Sequence, residues 1–180
     1  MKGVAMVHFR EYVLKRAGEE GLEEIAATLS PAASKMLTQP AACDWYELAP
    51  VVEIEHALVN KFFNGDITAV AQLGEFDAVE SISRIYRILF RFLDPATLVK
   101  KSSQLWSRYY DRGELKVDQL GPRRLAVHVT GHAPRELIHC HEFRGGLLGC
   151  IRVCGFDTGR VEHSACVLSG APACTYELTW

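Results

Sequence analysis

The feature that most constrains this chain is the spacing Cys140-x22-His163-x2-Cys166-x7-Cys174. Five of its six cysteines fall in the last 41 positions, whereas a secreted disulfide scaffold spreads cysteines throughout a shorter chain. In a reducing compartment, such clustering points to metal or redox chemistry before disulfides. Three thiolates and one imidazole form a common closed ligand set for structural zinc. The segment Ser169-Gly170-Ala171-Pro172 is a strong turn signal between two strand-like runs, Arg160 to Leu168 and Ala173 to Trp180. That hairpin places Cys166 and Cys174 roughly opposite each other, with Cβ atoms about 4.5–5.5 Å apart. Cys140 arrives from the start of a helix expected over Arg135 to Gly155. A flat strand would turn His163 and Cys166 to opposite faces, so the four-ligand arrangement requires a bend or bulge between them.

The same thiols have a plainer reading. Free cysteine packs as a small hydrophobe, so Cys166 and Cys174 could be a reduced core pair, or a disulfide if oxidised. Cys150 and Cys154 lie one helical turn apart beside Leu147 and Ile151, which reads as packing. His139 and His141 flank Cys140 and are possible alternate ligands, with exposure at the helix start the favoured reading.

The residues before Asp111 read mostly as helix. Gly3 to His8 could form a short strand, followed by a helix that ends at Gly18. Leu22, Ile25, Ala26 and Leu29 then repeat at helical spacing. A short helix is expected within Ser30 to Trp45. Val51 to Phe63 is another helix, stopped by Asn64-Gly65-Asp66. Ser81 to Leu93 carries an apolar stripe of Ile82, Ile85, Leu89, Phe92 and Leu93, with Arg84, Arg87 and Arg91 largely opposite. Asp94-Pro95 breaks it and opens a further helix to about Tyr110. After Asp111 the pattern changes. Glu114 to Val117 and Arg124 to Thr130 alternate as strands. The expected whole is one α+β domain over residues 1–180, mostly helical over 1–110 and strand-rich, with the metal cluster, over 111–180.

Composition narrows the classes of function. The chain has 180 residues, 48% hydrophobic and 23% charged, which is ordinary for a globular domain. A net charge of −2, from 20 basic and 22 acidic residues, gives no electrostatic case for nucleic acid. No apolar run approaches the ~20 residues of a membrane helix. The opening MKGVAMVHFREYVLK is not a secretory signal, so a cytoplasmic location is expected. A Gly-rich phosphate loop, H-E-x-x-H and G-x-S-x-G are all missing from the sequence. A closed four-ligand zinc site leaves no open position for water. The expectation is therefore a protein that is not an enzyme.

The segment Cys140 to Trp180 resembles the V4R (4-vinyl reductase) domain, whose carboxy-terminal signature is a helix, an acidic or histidine ligand, and Cys-x7-Cys on a hairpin. In that resemblance His163 stands where the aromatic-sensing members carry Glu. The phrase VEHSACVLSGAPACTYELTW, with the opening KG and the length, is similar to a myxobacterial paralogous family of unknown function. The resemblance implies the α/β ligand-binding fold shared by V4R, haem-NO-binding and TRAPP subunits, with helices packed on a twisted antiparallel sheet. It also implies a frequent dimer and an apolar small-molecule pocket. It reinforces zinc on Cys140, His163, Cys166 and Cys174.

Two functions follow as expectations. The first is a sensory module with a structural zinc, holding a hydrophobic molecule of unknown identity. Its wall residues would be Phe90, Trp106, Tyr109, Tyr110, Phe143 and Leu147. The second is an interaction or scaffold module acting as a homodimer or through a protein partner. Haem is disfavoured, although His8, His56, His128 or His132 could each offer iron a nitrogen. Gly145, Gly146 and Gly149 each weaken their helix by roughly 1 kcal/mol against Ala, which points to close backbone approach, with tight helix-on-sheet packing the favoured cause.

Overall fold

Helix begins at the fourth residue. The apolar positions Met6, Phe9 and Val13 recur at helical spacing and are fully buried, and this long period overrides the short strand-like start. In the computed structural model, which describes residues 1–81, 91–104 and 106–180, α1 spans Val4–Ala27. The expected strand at Gly3 to His8 is thus corrected, and only an isolated antiparallel bridge joins Lys2 to Trp45. Gly18 does interrupt α1, with φ 67° and ψ −168°, a conformation open essentially to glycine alone.

The next helices follow their local signals. In α2 (Pro31–Thr38), Ser30 caps the first turn by accepting from the Ala33 amide, with Pro31 at the first helical position. α3 (Leu48–Phe63) stops at Asn64 in the left-handed region. Asp66 accepts from the Thr68 amide and opens a 3₁₀ turn, Ile67–Val70, that leads into α4 (Ala71–Glu80). The helix expected over Ser81 to Leu93 falls largely outside the described residues, as do Ile82, Ile85 and Phe90. Past Asp94-Pro95 come α5 (Pro95–Gln104) and α6 (Trp106–Tyr109).

Four strands form one antiparallel sheet in the order β1-β2-β4-β3. They are β1 (Glu114–Gly121), β2 (Arg124–Thr130), β3 (Arg160–Ala165) and β4 (Cys174–Thr179). Period-2 alternation buries Leu125, Val127 and Val129 from β2, and Cys174, Tyr176 and Leu178 from β4. Between β2 and β3 runs α7 (Leu137–Val153).

α7 organises the molecule. Its buried residues fall on two opposite faces, Ile138, Gly145 and Gly149 on one and Cys140, Leu147 and Ile151 on the other, as in a helix packed between two layers. Ile138 joins the core formed by α1, α2 and α3, while Cys140, Leu147 and Ile151 join the core on the sheet. The domain is therefore α+β, with α7 between a helical layer and the sheet.

His8 on α1 holds Asp77 on α4, Nδ1 to Oδ1, at 2.5 Å. Burial works against charge on His8, but the hydrogen bond and charge of Asp77 prevail and raise its pKa above the ordinary 6.5. A raised folded pKa contributes stability that is complete below the unfolded value and is lost as pH climbs through the folded one. Chemical denaturation from about pH 5 to 9 should show this contribution fading on the alkaline side. Asp77→Asn should flatten the profile, and an unchanged slope would refute the assignment.

Candidate functional site

Cys140, His163, Cys166 and Cys174 converge, with one ligand atom from each lying within 4.8 Å of all the others. Cys140 sits in the first turn of α7, where burial against the sheet directs its thiol inward. On β3 the register with β4 shifts between His163 and Ala165, the bulge that the ligand geometry requires. Cys166 lies just past the end of β3, at the entry to the 3₁₀ turn Val167–Ser169, which Gly170 closes in the left-handed region. The chain then returns to Cys174 at the start of β4. Three separate parts of the fold thus meet at one point.

The distances suit a tetrahedral ion. Cys140 Sγ to Cys166 Sγ is 3.8 Å and Cys166 Sγ to Cys174 Sγ is 3.7 Å. Zn–S bonds near 2.3 Å spread at the tetrahedral angle separate sulfurs by about 3.8 Å. No cysteine forms a disulfide among the described residues, and these separations are far beyond the ~2.05 Å of a disulfide. His163 stacks on Tyr176, with centroids 4.5 Å apart and planes at 12°. Its Nε2 is buried with no hydrogen-bond partner among the described residues. The hydroxyl of Tyr176 donates to the Cys140 carbonyl at 3.3 Å, bracing α7 against β4 beside the cluster.

The site already favours one thiolate. The hydrogen bond from Cys140 holds Cys174 down to about 5 against the opposing effect of burial, with further help from the Val167 amide, Cys166 and His163. The same bond to Cys174, together with burial, pushes the Cys140 thiol well up. Burial raises Cys166 as well. A divalent ion would lower all three together, since metal binding replaces thiol protons.

The other cysteines stand apart. Cys154 is buried in the last turn of α7, where burial pushes its thiol up to about 11. Cys150 is half-buried against the sheet core, and Cys43 is exposed. The expectation of an exposed His139 is corrected. It is 1% exposed, and its Nδ1–H donates to Glu55 Oε1 on α3 at 2.7 Å. His141 is half-buried, with its ring 6.4 Å from that of His163. Sequence reasoning missed Glu55 and Glu142. Glu55 interrupts the buried face of α3, where Val51, Val52, Ile54, Leu58 and Val59 are apolar, and that was the available signal.

The proposed pocket wall is a packed aromatic set. Trp106 stacks on Tyr110 at 4.2 Å and meets Phe143 edge-on at 5.9 Å, and Phe143 lies 5.2 Å from Tyr176. Leu147 is buried in the same core, while Tyr109 is exposed. Phe90 lies outside the described residues. Two open grooves, of about 620 and 710 Å³, are lined elsewhere. The first runs past Phe92, Arg123, Phe156 and Trp180, and the second past Tyr12, Arg16, Phe76 and Leu148.

No protein-family model and no curated protein matches the chain. Solved structures do. An H-NOX protein from S. oneidensis in the Fe(II) ligation state, a mutant form, superposes with a TM-score of 0.73 at 20% identity, covering 99% of this chain and 95% of that one. The Fe(II) unliganded H-NOX protein from K. algicida gives 0.67 at 14% identity, over 99% and 96%. The IWP-051-bound H-NOX from Shewanella woodyi in the Fe(II)CO state gives 0.69 at 16% identity, over 99% and 94%. The chain shares the fold of these H-NOX structures, and the α+β fold expected from sequence agrees with it. A further structural neighbour was studied for haem distortion in the H-NOX family. The sequence expectation that haem is unlikely is therefore corrected, because the shared fold is one whose neighbours are haem-iron proteins. His132 lies in the aromatic set. Its ring lies 5.6 Å from Trp106 and 4.8 Å from Tyr110. Burial holds its pKa down at about 4, so the imidazole is neutral at ordinary pH. Among the described residues no helix is long and apolar enough to cross a membrane.

Proposed function

We propose that the chain is a sensory module that binds a small molecule rather than an enzyme. In this reading Cys140, His163, Cys166 and Cys174 clip α7 to the β3–β4 hairpin through one thiolate-bound divalent ion, for which zinc has the matching donor preference. The observation that carries it is the four-ligand convergence with sulfurs 3.7 and 3.8 Å apart. The same convergence supports a V4R-like placement within the superfamily. All four tetrahedral positions come from the protein, which suits a structural ion. Native mass spectrometry of gently purified protein, paired with elemental analysis, should find about one thiolate-bound metal per chain. A reduced, never-chelated preparation without metal would defeat the zinc clip.

The small molecule is tested first with haem, because the fold favours it. His132 would offer iron its neutral nitrogen, and Trp106, Tyr110 and Phe143 would supply an apolar wall. Haem bound there would supply an iron coordination site for a diatomic gas. Reconstitution with hemin should produce a Soret band that His132→Ala shifts or abolishes. Absence of a band would direct the search to another apolar molecule. The second reading, an interaction module acting as a homodimer, is favoured by the ring contacts that fill the space between Trp106 and Tyr176. A dimer without small-molecule adducts in the same mass spectra would select it.

A further inference from the structure

Glu55, His139 and Glu142 form a second cluster on the other side of α7. One ligand atom of each lies within 4.8 Å of the others, and the three residues are 0%, 1% and 6% exposed. His139 and Glu142 are three residues apart, so one helix face presents both, and Glu55 meets them from α3. We propose that this cluster is a metal site for a divalent cation of the manganese–iron–zinc class, separate from the thiolate cluster.

Three observations lead there. The first is geometry. His139 Nδ1 lies 2.7 Å from Glu55 Oε1 and 3.9 Å from Glu142 Oε2. Metal–ligand bonds of about 2.0–2.2 Å place adjacent donor atoms about 3.0–3.4 Å apart, so small side-chain adjustments would accommodate an ion. The second is charge. The two carboxyls and the imidazole lose solvation in a site shut off from water, and a divalent ion would take the place of their protons and neutralise the carboxylates. Isolated buried charge is otherwise very costly. The third is unmet bonding capacity. Glu55 Oε2 and His139 Nε2 are buried without hydrogen-bond partners among the described residues, and an ion held by the Glu55 carboxylate would satisfy its free oxygen.

The surroundings fit the same picture. Asp77 and Glu55 add to the negative field at Glu142, whose carboxyl burial pushes up to about 8. Tyr110 and His132 close the site on the aromatic side, with His132 5.7 Å from His139. Carboxylates with one imidazole suit manganese, iron or zinc, whereas the thiolate cluster selects a softer ion. The two sites therefore differ in the metals they accept.

The test adds Mn²⁺ to chelator-treated protein, with or without a single equivalent of zinc for the thiolate cluster, and follows free Mn²⁺ by its solution EPR signal. About one equivalent should disappear from solution per chain, whether or not the thiolate cluster takes zinc. Glu55→Gln and Glu142→Gln keep side-chain shape and should weaken Mn²⁺ binding by more than about 100-fold, beyond the 10–100-fold typical of losing a group behind the ligands. Neither should alter the thiolate-to-metal absorption of a Co²⁺-loaded thiolate site. If both variants fail to fold, the wild-type titration decides alone. Wild-type protein that leaves all Mn²⁺ free overturns the proposal, as does uptake that both variants leave undiminished. The cluster is then a proton-sharing ion pair.

Discussion

Cys166→Ser and Cys174→Ser are each expected to lower the melting temperature by about 6–20 °C. The argument runs through what the cluster joins. Cys140 belongs to α7, Cys166 to the turn after β3, and Cys174 to β4, so one ion there would hold together parts of the chain that loop entropy would separate. Structural metal binding feeds directly into folding and is worth about 10–16 kcal/mol in small zinc peptides. In a larger domain with its own core, losing one ligand should cost on the order of 3–5 kcal/mol. At roughly 2–4 °C per kcal/mol for this size, that gives the expected shift. Cys150→Ser is the control. Its thiol is half-buried on α7 outside the cluster, and it should move the transition by only about 3 °C. A strong chelator should reproduce the loss in the wild type and add nothing in the Cys174 variant. Equal small shifts in all three variants would mean that the thiols are merely packed.

Gly145→Ala should destabilise the fold by about 3 kcal/mol or more, although helix propensity alone predicts a gain of about 1 kcal/mol. A Cβ at Gly145 would lie 1.9 Å from the Ala71 carbonyl oxygen and 2.7 Å from its Cα. Gly74 on α4 makes the reciprocal approach, its added Cβ falling 1.9 Å from the Glu142 oxygen. The contact is backbone against backbone, so no side chain can swing aside to relieve it. α4 and α7 would have to move apart, disturbing Glu142 and the Leu147 side of the helix. Gly146→Ala separates the two effects. Its nearest neighbour would be the Gly74 oxygen at 3.9 Å, an ordinary contact, so this variant should gain up to about 1 kcal/mol from propensity. Urea denaturation of the pair checks both signs. Two stabilised variants would show that α4 does not pack on α7 in this way.

The glycines also show what could be read without coordinates. Their cost to the helix was visible in the sequence and indicated close approach. The partner was not visible, and the favoured helix-on-sheet contact proves to be helix on helix. Periodicity reports that a face needs covering and carries no label for the element that covers it.

The cysteine cluster lies at the opposite extreme. Its four residues, the turn at Gly170 and the bulge after His163 were all legible, because a hairpin sets cross-strand neighbours through local geometry. The same holds for the alternation that marked β2 as a strand and for the stop at Asn64. The sequence by itself therefore determined the α+β class and which three thiols and one imidazole come together.

Tertiary structure decided whatever rests on partners distant in sequence. The first residues became helix because Met6, Phe9 and Val13 found a core made by α2 and α3. His139 became buried because Glu55, 84 positions earlier, was there to receive its proton. A buried polar group is tolerable only beside its partner, and pairing across such a separation leaves no periodic trace in one sequence. That is why the thiolate cluster could be read from the chain and the carboxylate–histidine cluster on the other side of α7 could not.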